Sequence, residues 1–196
     1  MFFTTNDKVF SPSGPDRGTC AMLSCVEFLP EDRVLDLGCG YGIVGILAAK
    51  LTSPAQVTMC DISEDALTLA RKNAAANGVS ESIQILKSDG LAAVTDSDYT
   101  KILSNPPYHT DFSVAKNFIE QGFRHLASGG MFYMVTKRRD WYKNKLISVF
   151  GGVQIIEKDG YYIFIAQKRS ARPKNRTTAA KTQRLSKKLA RKKRKS

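Results

Sequence analysis

Apolar and polar positions along the chain follow two patterns in turn, and these predict alternating strands and helices. Five short apolar runs are typical of buried strands and cover 34–37, 56–60, 83–86, 99–104 and 131–136. Stretches with apolar residues at helical spacing follow four of these runs, at 43–51, 63–77, 114–126 and 140–150. Strand-helix alternation predicts a doubly wound, mostly parallel sheet with helices on both faces and right-handed crossovers.

The two ends of this pattern differ from its middle. Residues 1–30 are predicted to be irregular and then to form one short helix over 19–28, because breakers interrupt the early part at Pro12, Gly14, Pro15 and Gly18. Two last strands, 153–157 and 161–166, flank Asp159-Gly160, which favours a tight hairpin turn. The hairpin adds an antiparallel strand at the edge and brings the predicted sheet to seven strands.

The first predicted strand runs directly into a glycine-rich loop. Gly38, Gly40 and Gly42 have no β-carbon, so the backbone can turn sharply and a ligand can approach main-chain N–H groups at the next helix's positive end. Such a loop is typical of proteins that bind a nucleotide-like cofactor. Gly40-x-Gly42-x-x-Gly45 also fits the dinucleotide-binding pattern, so the glycines alone leave the cofactor open.

Acidic residues follow the predicted strands at the edge where a parallel sheet binds its ligand. Asp61, after the second strand, is placed to accept both hydroxyl hydrogens of a ribose. Asp89, after the third, suits an adenine amino group, although Ser88-Asp89-Gly90 is equally good turn chemistry. Asp36 puts a carboxylate near the loop mouth, where a dinucleotide enzyme has an apolar residue. There it can hold a cationic ligand through its ammonium group or through ordered water.

Together these residues resemble the class I S-adenosylmethionine-dependent methyltransferases. The resemblance is carried by Asp36-x-Gly38-x-Gly40-x-Gly42, Asp61 and Asn105-Pro106-Pro107-Tyr108. It implies a Rossmann-like sheet, S-adenosylmethionine as cofactor and N-methyl transfer as the reaction. The implied cofactor-binding residues are Asp36, Gly38, Cys39, Gly40, Asp61, Ile62, Asp89, Gly90 and Asn105.

The tetrapeptide from Asn105 to Tyr108 is implied to be catalytic. An exocyclic base amine is a poor nucleophile because its lone pair is delocalised into the ring. The Asn105 side-chain oxygen and the Pro106 carbonyl can accept its two N–H bonds, which turns the lone pair toward the methyl group. Pro106 and Pro107 stiffen the loop, and Tyr108 offers a face on which an extruded or single-stranded base can stack. Families with this motif methylate adenine N6, guanine N2 or a protein glutamine amide.

A finer resemblance covers most of residues 8–168 and points to the small-subunit ribosomal RNA guanine-N2 methyltransferase family. It rests on Phe10-Ser-Pro-x-Gly14-x-Asp16-x-Gly18-Thr19, Ser104-Asn-Pro-Pro-Tyr-His-Thr-Asp111 and Phe123-Arg-His-Leu-x-x-Gly129-Gly130. It implies that residues 10–19 help to cover the bound cofactor or substrate. Members of that family often carry a second, degenerate amino-terminal domain, and this chain is expected to be a single-domain relative.

The net charge of +12 is concentrated at one end of the chain. Residues 1–167 hold 16 Lys and Arg against 18 Asp and Glu, whereas residues 168–196 hold 14 basic residues and no acid. We therefore expect a methyltransferase domain over 1–168, with 1–30 as its cover segment, and a basic tail over 169–196 that is disordered when free. The tail indicates a polyanionic partner, most simply RNA, with an anionic membrane surface as the weaker alternative. In a nucleated cell it could instead be a nuclear address.

Three more basic residues, Lys137, Arg138 and Arg139, follow the fifth strand on the same edge as the expected site. They are candidates for binding substrate phosphates, and the start of a solvated helix is the alternative interpretation.

Other classes of site and location find little support in the sequence. The four cysteines, Cys20, Cys25, Cys39 and Cys60, show no C-x-x-C spacing and accompany only two histidines, so we expect reduced thiols and no metal site. No apolar run reaches the roughly 20 residues of a membrane span, and the start of the chain is unlike a signal peptide. These features predict a cytoplasmic protein.

The sequence thus predicts an RNA methyltransferase acting on a base amine, with guanine N2 of ribosomal RNA as the favoured target. Three alternatives stay open: a protein glutamine-N5 methyltransferase, a DNA adenine-N6 methyltransferase, and an RNA-binding assembly factor without catalysis.

Overall fold

The computed structural model describes residues 1–6, 16–53, 56–81, 83–107 and 112–170. The helices are α1 (Arg17–Leu23), α2 (Ile43–Leu51), α3 (Glu64–Ala76), α4 (Phe112–His125) and α5 (Asp140–Phe150). The strands are β1 (Val34–Leu37), β2 (Val57–Asp61), β3 (Gln84–Lys87), β4 (Tyr99–Ser104), β5 (Leu126–Thr136), β6 (Gln154–Lys158) and β7 (Tyr161–Gln167). Within these ranges, none of the helices has both the length and the apolar character needed to cross a bilayer.

All seven strands form one sheet in the order β3-β2-β1-β4-β5-β7-β6. The pairs from β3 to β5 are parallel, while β7 runs antiparallel to both β5 and β6. The predicted doubly wound, mostly parallel sheet with a terminal hairpin is confirmed. The antiparallel strand was wrongly predicted at the edge of the sheet: β7 lies between β5 and β6, because the hairpin folds back onto β5. The strand order reverses between β1 and β4, so a ligand crevice is expected beyond the carboxyl ends of these two strands.

Alternate residues of β1 face two separate hydrophobic layers. Val34 packs in the layer that contains Ile46 of α2 and Leu67 of α3. Leu35 and Leu37 pack in the opposite layer, with buried side chains from α4 and α5. Each large apolar side chain buried in this way contributes about 1.5–3 kcal/mol to folding. Strand periodicity therefore directs Asp36 toward the same face as Val34, beneath α2.

Helix α3 is anchored at both ends of its buried face. The Ser63 hydroxyl accepts a hydrogen bond from the Ala66 N–H at 3.3 Å and so forms the N-cap of α3. Farther along, Asn73 and Asn77 bind the first residues of the chain: their side-chain oxygens accept from the N–H groups of Thr4 and Phe2, and their amides donate back to the same two residues' carbonyls. The two asparagine side chains thus bind the backbone of Phe2 and Thr4 as a neighbouring strand would, and they fix the start of the chain along α3.

The first helix differs from its prediction at both ends. It spans Arg17–Leu23 rather than 19–28, because Asp16 caps it by accepting the Thr19 N–H at 3.0 Å. Gly18, predicted to break regular structure, lies inside the first turn. A β-carbon there would come within 2.6 Å of the Tyr161 ring, so the glycine is required by packing.

The fourth helix and fifth strand meet earlier than predicted. α4 ends at His125 and β5 begins at Leu126, whereas the sequence suggests a helix to residue 126 and a strand from 131. The Gly129 N–H donates to the Lys168 carbonyl at 2.7 Å, and the Lys168 N–H donates to the Gly130 carbonyl at 2.9 Å. The residues beyond β7 therefore draw Gly129 and Gly130 into the sheet, with a bulge opposite β4.

Candidate active site

A cavity of about 360 Å³ opens at the carboxyl ends of β1, β2 and β4. The four loops predicted to meet at this edge all contribute to its wall. The predicted residues that line it are Asp36, Gly38, Cys39, Gly40, Asp61, Ile62, Asp89, Gly90, Asn105, Pro106 and Pro107. The fold thus gathers every residue predicted to bind the cofactor around one space.

The glycine loop after β1 takes a conformation that needs its glycines. Gly38, Gly40 and Gly42 have φ angles of 75°, 54° and 96°, in the left-handed region that other residues rarely adopt. The N–H groups of Gly38 and Cys39 both donate to the Cys60 carbonyl, at 2.9 and 3.0 Å, which ties the loop to the end of β2. These backbone contacts help to hold the loop beside the cavity.

Asp36 serves as a remote cap for α2. Gly42 occupies the N-cap position and has no side chain to satisfy the first amides of the helix. Asp36 supplies that function from β1, since its Oδ2 accepts the Gly45 N–H at 2.8 Å. A β-carbon on Gly45 would lie 2.2 Å from the Met59 sulfur, so glycine is what allows α2 to approach the sheet this closely.

Asp36 is buried at the inner wall of the cavity. The residue is only 3% exposed, although it lines the cavity. Burial raises the pKa of its carboxyl to about 7, against the opposing effect of the Gly45 hydrogen bond; the nearby Asp61 charge adds to the increase. At neutral pH this carboxyl is therefore poised between its neutral and charged forms.

The carboxylate of Asp61 joins two of the loops that border the cavity. Its Oδ2 accepts the Gly40 N–H and its Oδ1 accepts the Ser63 N–H, each at 2.9 Å. A carboxylate oxygen has two acceptor sites, so these bonds leave capacity for a ligand's hydroxyl groups. Next to it, Ile62 is 64% exposed, an apolar side chain left at the rim of the cavity.

The loop after β3 is attached to the end of β2. The Ser88 N–H donates to the Asp61 carbonyl at 2.9 Å, and the buried Ser88 hydroxyl accepts from the Ala93 N–H at 3.0 Å. Asp89 is exposed at the cavity wall. Gly90 has a φ of 56°, and a β-carbon there would lie 2.8 Å from the Asn117 side-chain nitrogen. The loop after β3 therefore forms a turn and also lines the cavity, so the two interpretations of its sequence are compatible.

The two cysteines at the cavity are in their neutral form at pH 7. Burial raises the pKa of Cys60 to about 12 and that of Cys39 well above its ordinary value. A thiol is a weak nucleophile until it loses its proton. Cys39 therefore contributes a small apolar surface to the wall, and a thiolate mechanism is disfavoured.

Asn105 follows β4 at the centre of the cavity wall, and its side-chain amide has one engaged end and one unengaged end. The amide nitrogen donates to Asp16 Oδ2 at 2.9 Å and to Thr19 Oγ1 at 3.0 Å. Among the described residues, its Oδ1 is a buried side-chain oxygen with no hydrogen-bond partner. A buried acceptor without a partner is costly, so this atom is suited to an incoming N–H donor.

Sequence reasoning missed several residues of this wall. The sequence indicates Phe118 only as an apolar helix position, yet a β-carbon on Gly38 would lie 3.4 Å from its ring. Asp16 and Thr19 belong to the segment 10–19, which was predicted only to cover the bound cofactor or substrate, and they prove to be the partners of Asn105. The signal available for them was their position just before a buried helical stretch, where an aspartate is a common N-cap.

The predicted substrate-binding residues lie beside this wall, except one. Ser104 pairs with Met134 in parallel register, so Lys137, Arg138 and Arg139 follow β5 at the same edge as Asn105. All three are exposed; the Lys137 ammonium lies 5.1 Å from the Tyr161 ring centroid and the Arg138 guanidinium 5.1 Å from that of Phe112. Tyr108 lies outside the described residues, as do residues 171–196, which make up most of the predicted tail.

Comparisons with known proteins agree on one family. The family model "Methyltransferase small domain" matches residues 1–165. The chain is 35% identical over 152 residues to ribosomal RNA small subunit methyltransferase C of Pseudoalteromonas atlantica, covering 76% of this chain and 43% of that protein. A relative of the same name from Pseudomonas entomophila is 32% identical over 163 residues, with 81% and 48% covered. The chain thus spans about half the length of these curated relatives.

A solved structure extends the same similarity. The T. thermophilus 16S rRNA N2 G1207 methyltransferase, in complex with AdoMet and guanosine, superposes with a TM-score of 0.76 at 27% identity, covering 82% of this chain and 45% of that one.

Proposed function

The chain belongs to the methyltransferase small domain family, and from this premise we propose that it transfers a methyl group from S-adenosylmethionine to an exocyclic base amine, guanine N2 of ribosomal RNA. The observation that carries the proposal is the unengaged Asn105 oxygen beside the cavity. It presents an acceptor where an amine N–H must be held, next to a space suited to a nucleoside cofactor. The names of the relatives support the choice of ribosomal RNA.

The cavity wall fits S-adenosylmethionine in its distribution of charge and apolar surface. The Asp61 carboxylate is proposed to accept the ribose hydroxyls, with Ile62 and Phe118 offering apolar contact to the adenine. Asp89 is proposed to accept the adenine amino hydrogens, beside Gly90. Asp36 supplies negative charge for the cationic end of the molecule. The glycine loop, with Gly38, Cys39 and Gly40, provides a wall without large side chains.

The chemistry requires alignment rather than a strong base. When bound, S-adenosylmethionine supplies an electrophilic methyl: a C–N bond forms as the C–S bond breaks, sulfur keeps the electron pair, and the amine's proton passes to water. Asn105 Oδ1 and the Pro106 carbonyl hold the two amine N–H groups, which directs the nitrogen lone pair out of the base plane toward the methyl carbon. Pro107 limits loop motion, and Tyr108 is proposed to stack on the base.

Substrate RNA is proposed to reach this edge along a basic path. Lys137, Arg138 and Arg139 provide three exposed charges there for phosphates. The Phe112 ring stacks on Trp141 with centroids 4.3 Å apart and with the Arg138 guanidinium nearby, so cationic and aromatic groups lie together. The tail over 169–196 is proposed to add sequence-independent attraction for the RNA backbone.

The test of this function is to identify the methylated product. The full chain is incubated with S-adenosylmethionine labelled on the methyl group and, separately, with ribosomal RNA, assembled small subunits, duplex DNA or a protein extract. Mass spectrometry of the digested products is expected to show labelled N2-methylguanosine in RNA. Labelled N6-methyladenine in DNA or a methylated glutamine would replace the proposal with one of its rivals. S-adenosylmethionine binding that is absent in calorimetry would indicate a non-catalytic assembly factor.

Removing the basic tail is expected to weaken RNA binding without changing its sequence preference. A chain ending at Ser170 keeps the Lys168 backbone contacts to β5 and loses 12 of the 30 Lys and Arg residues. For each phosphate that the shortened chain no longer neutralises, the slope of log K against log salt should become shallower by about 0.7 on single-stranded RNA. Fluorescence anisotropy between low and high salt measures this slope.

A chain with the tail replaced by Gly and Ser residues of equal number is the matched control. An unchanged slope in the shortened chain would contradict the role of the tail.

A further inference from the structure

The orientation of the Asn105 side chain is set by a group from the other end of the chain. An amide can be turned by half a rotation so that its oxygen and nitrogen exchange places, and only its partners decide which end faces where. Asp16, which is 89 residues away in sequence, meets the amide nitrogen with a carboxylate oxygen at 2.9 Å. An ionised carboxylate only accepts hydrogen bonds, so the nitrogen must face it and the oxygen must face away.

Asp16 is itself held by two further elements. Its Oδ2 accepts the Thr19 N–H at 3.0 Å as the N-cap of α1, and its Oδ1 accepts the Tyr161 hydroxyl from the start of β7 at 3.3 Å. Gly18 leaves room for the Tyr161 ring, which a β-carbon would meet at 2.6 Å. Both oxygens of the carboxylate are therefore directed by backbone or ring contacts that do not depend on Asn105.

We propose that Asp16 is a positioning residue that locks the Asn105 amide with its oxygen toward the substrate, assisted by the Thr19 hydroxyl. The inference rests on the proposed function, because the locked oxygen is the atom that would receive the amine N–H. Asp16 acts through Asn105, and its role is to keep Asn105 from presenting an N–H donor to the amine. In a flipped Asn105 the side-chain NH₂ would face the N–H of the substrate amine. Two donors cannot form a hydrogen bond, so the amine lone pair would no longer be directed toward the methyl group.

Removing the carboxylate should release the amide while leaving the cavity intact. In Asp16→Ala only the Thr19 hydroxyl remains opposite the amide, and a hydroxyl can both donate and accept, so it permits either orientation. We expect kcat to fall about 10- to 100-fold, with KM for S-adenosylmethionine and for RNA within about threefold of wild type.

A conservative variant separates orientation from the loss of a helix cap. In Asp16→Asn the new amide oxygen can occupy the Oδ2 position and accept from both Thr19 N–H and Asn105, while its nitrogen faces the Tyr161 hydroxyl, which can accept. Asparagine is also as good an N-cap as aspartate. Asp16→Asn is therefore expected to restore kcat to within about threefold of wild type. A value as low as that of Asp16→Ala would overturn orientation as the cause.

The same helix offers a structural control. The Ser24 hydroxyl donates to the Ala21 carbonyl at 2.7 Å and accepts from the Lys158 ammonium at 2.8 Å, at the far end of α1 from Asn105. Ser24→Ala should weaken this end of α1 and leave kcat unchanged. If Asp16→Ala does not fold, Thr19→Val against Thr19→Ser tests the second partner. The valine variant is expected to lower kcat about three- to tenfold, and an unchanged kcat in both would overturn the proposal.

A measurement independent of activity tests the lock directly. The side-chain NH₂ signals of Asn105, assigned by their loss in Asn105→Ala, are followed by hydrogen exchange in ¹⁵N spectra without cofactor or RNA. Slow exchange is expected in wild type and in Asp16→Asn, and exchange at least about tenfold faster in Asp16→Ala. Equal exchange in all three would overturn the proposal even if methyl transfer is present. Slow exchange with no transfer by wild type would refute the proposed function and leave the lock in place.

Discussion

Asn105→Ala is expected to lower the rate of methyl transfer to RNA by at least about a hundredfold, the scale seen when one preorganised hydrogen-bonding group is removed from an active site. The variant loses the oxygen that is buried without a partner beside the cavity. Binding of S-adenosylmethionine should stay within about threefold, because the loop after β1, Asp61 and Ile62 are unchanged. Single-turnover transfer of a tritiated methyl group measures the first quantity and calorimetry the second.

The control for this loss is an asparagine on the protein surface. Asn144 is exposed on α5, so Asn144→Ala should transfer methyl groups at the wild-type rate. If Asn105→Ala also retains the wild-type rate, the proposed mechanism is refuted. If it loses cofactor binding in proportion to activity, Asn105 acts in binding the cofactor instead of aligning the amine.

Asp36→Asn is expected to make the protein more stable at pH 8 and to weaken cofactor binding. The pKa of Asp36 is about 7 in the folded protein, above its ordinary value of 3.8, so the folded state binds more protons than the unfolded state between those values. Stability therefore falls as pH rises from about 4 to about 7 and is level above that. At about 1.4 kcal/mol per pH unit, the fall is at most about 4 kcal/mol. The asparagine variant should lack this fall while its oxygen still accepts the Gly45 N–H.

Urea unfolding at pH 5 and pH 8 measures this effect. Both proteins share the pH dependence that comes from their other groups. Beyond that shared part, wild type should lose stability from pH 5 to pH 8, and Asp36→Asn should not. Asp96→Asn is the control: Asp96 is exposed and paired with Arg33 at 3.6 Å, so it should change stability by less than about 0.5 kcal/mol. Identical pH dependence in Asp36→Asn and wild type would contradict the assigned pKa.

The same carboxyl links cofactor binding to pH. A cation is attracted only by the ionised form of Asp36, whose fraction at a pKa of about 7 rises about tenfold from pH 6 to pH 8. The dissociation constant of S-adenosylmethionine should therefore be about tenfold larger at pH 6 than at pH 8 in wild type. In Asp36→Asn that part of the pH dependence should disappear. The protein would then keep a buried carboxyl that lowers its folding stability because that carboxyl binds a cationic ligand.

Much of the fold was accessible from sequence because its signals are local. The apolar run 99–104 coincides with β4, the helix predicted at 140–150 with α5, and the helix predicted at 63–77 contains α3 together with its cap, Ser63. These features depend on residues a few positions apart, where periodicity and capping chemistry act directly. The gathering of Asp61, Asp89 and Asn105 at one cavity was also accessible, since parallel strands end at a common edge.

Sequence and structure differ where distant contacts override local preference. The sequence predicts Gly18 as a breaker, yet it lies in α1, where a glycine is required because the Tyr161 ring occupies the space of a β-carbon. It predicts residues 127–130 as the connection between a helix and a strand, yet hydrogen bonds to the Lys168 backbone draw Gly129 and Gly130 into β5. Asp36 lines the cavity near the loop mouth, and the structure adds a role that the sequence did not predict, as the cap of α2. For Gly18, Gly129 and Gly130 the partner is a residue that no short window of sequence contains.

The sequence by itself determined the class of the sheet, the glycine loop and the strand-end residues that border the cavity, because periodicity, backbone freedom and strand-end position are properties of neighbouring residues. Only the tertiary structure decided how the side chains at the cavity are oriented and which of their atoms are left to bind a ligand. It places Asp16 against Asn105 across 89 residues and leaves one amide oxygen unengaged. The direction of a hydrogen bond depends on which donor and acceptor meet in space, and that meeting exists only after the sheet has brought α1, β4 and β7 together.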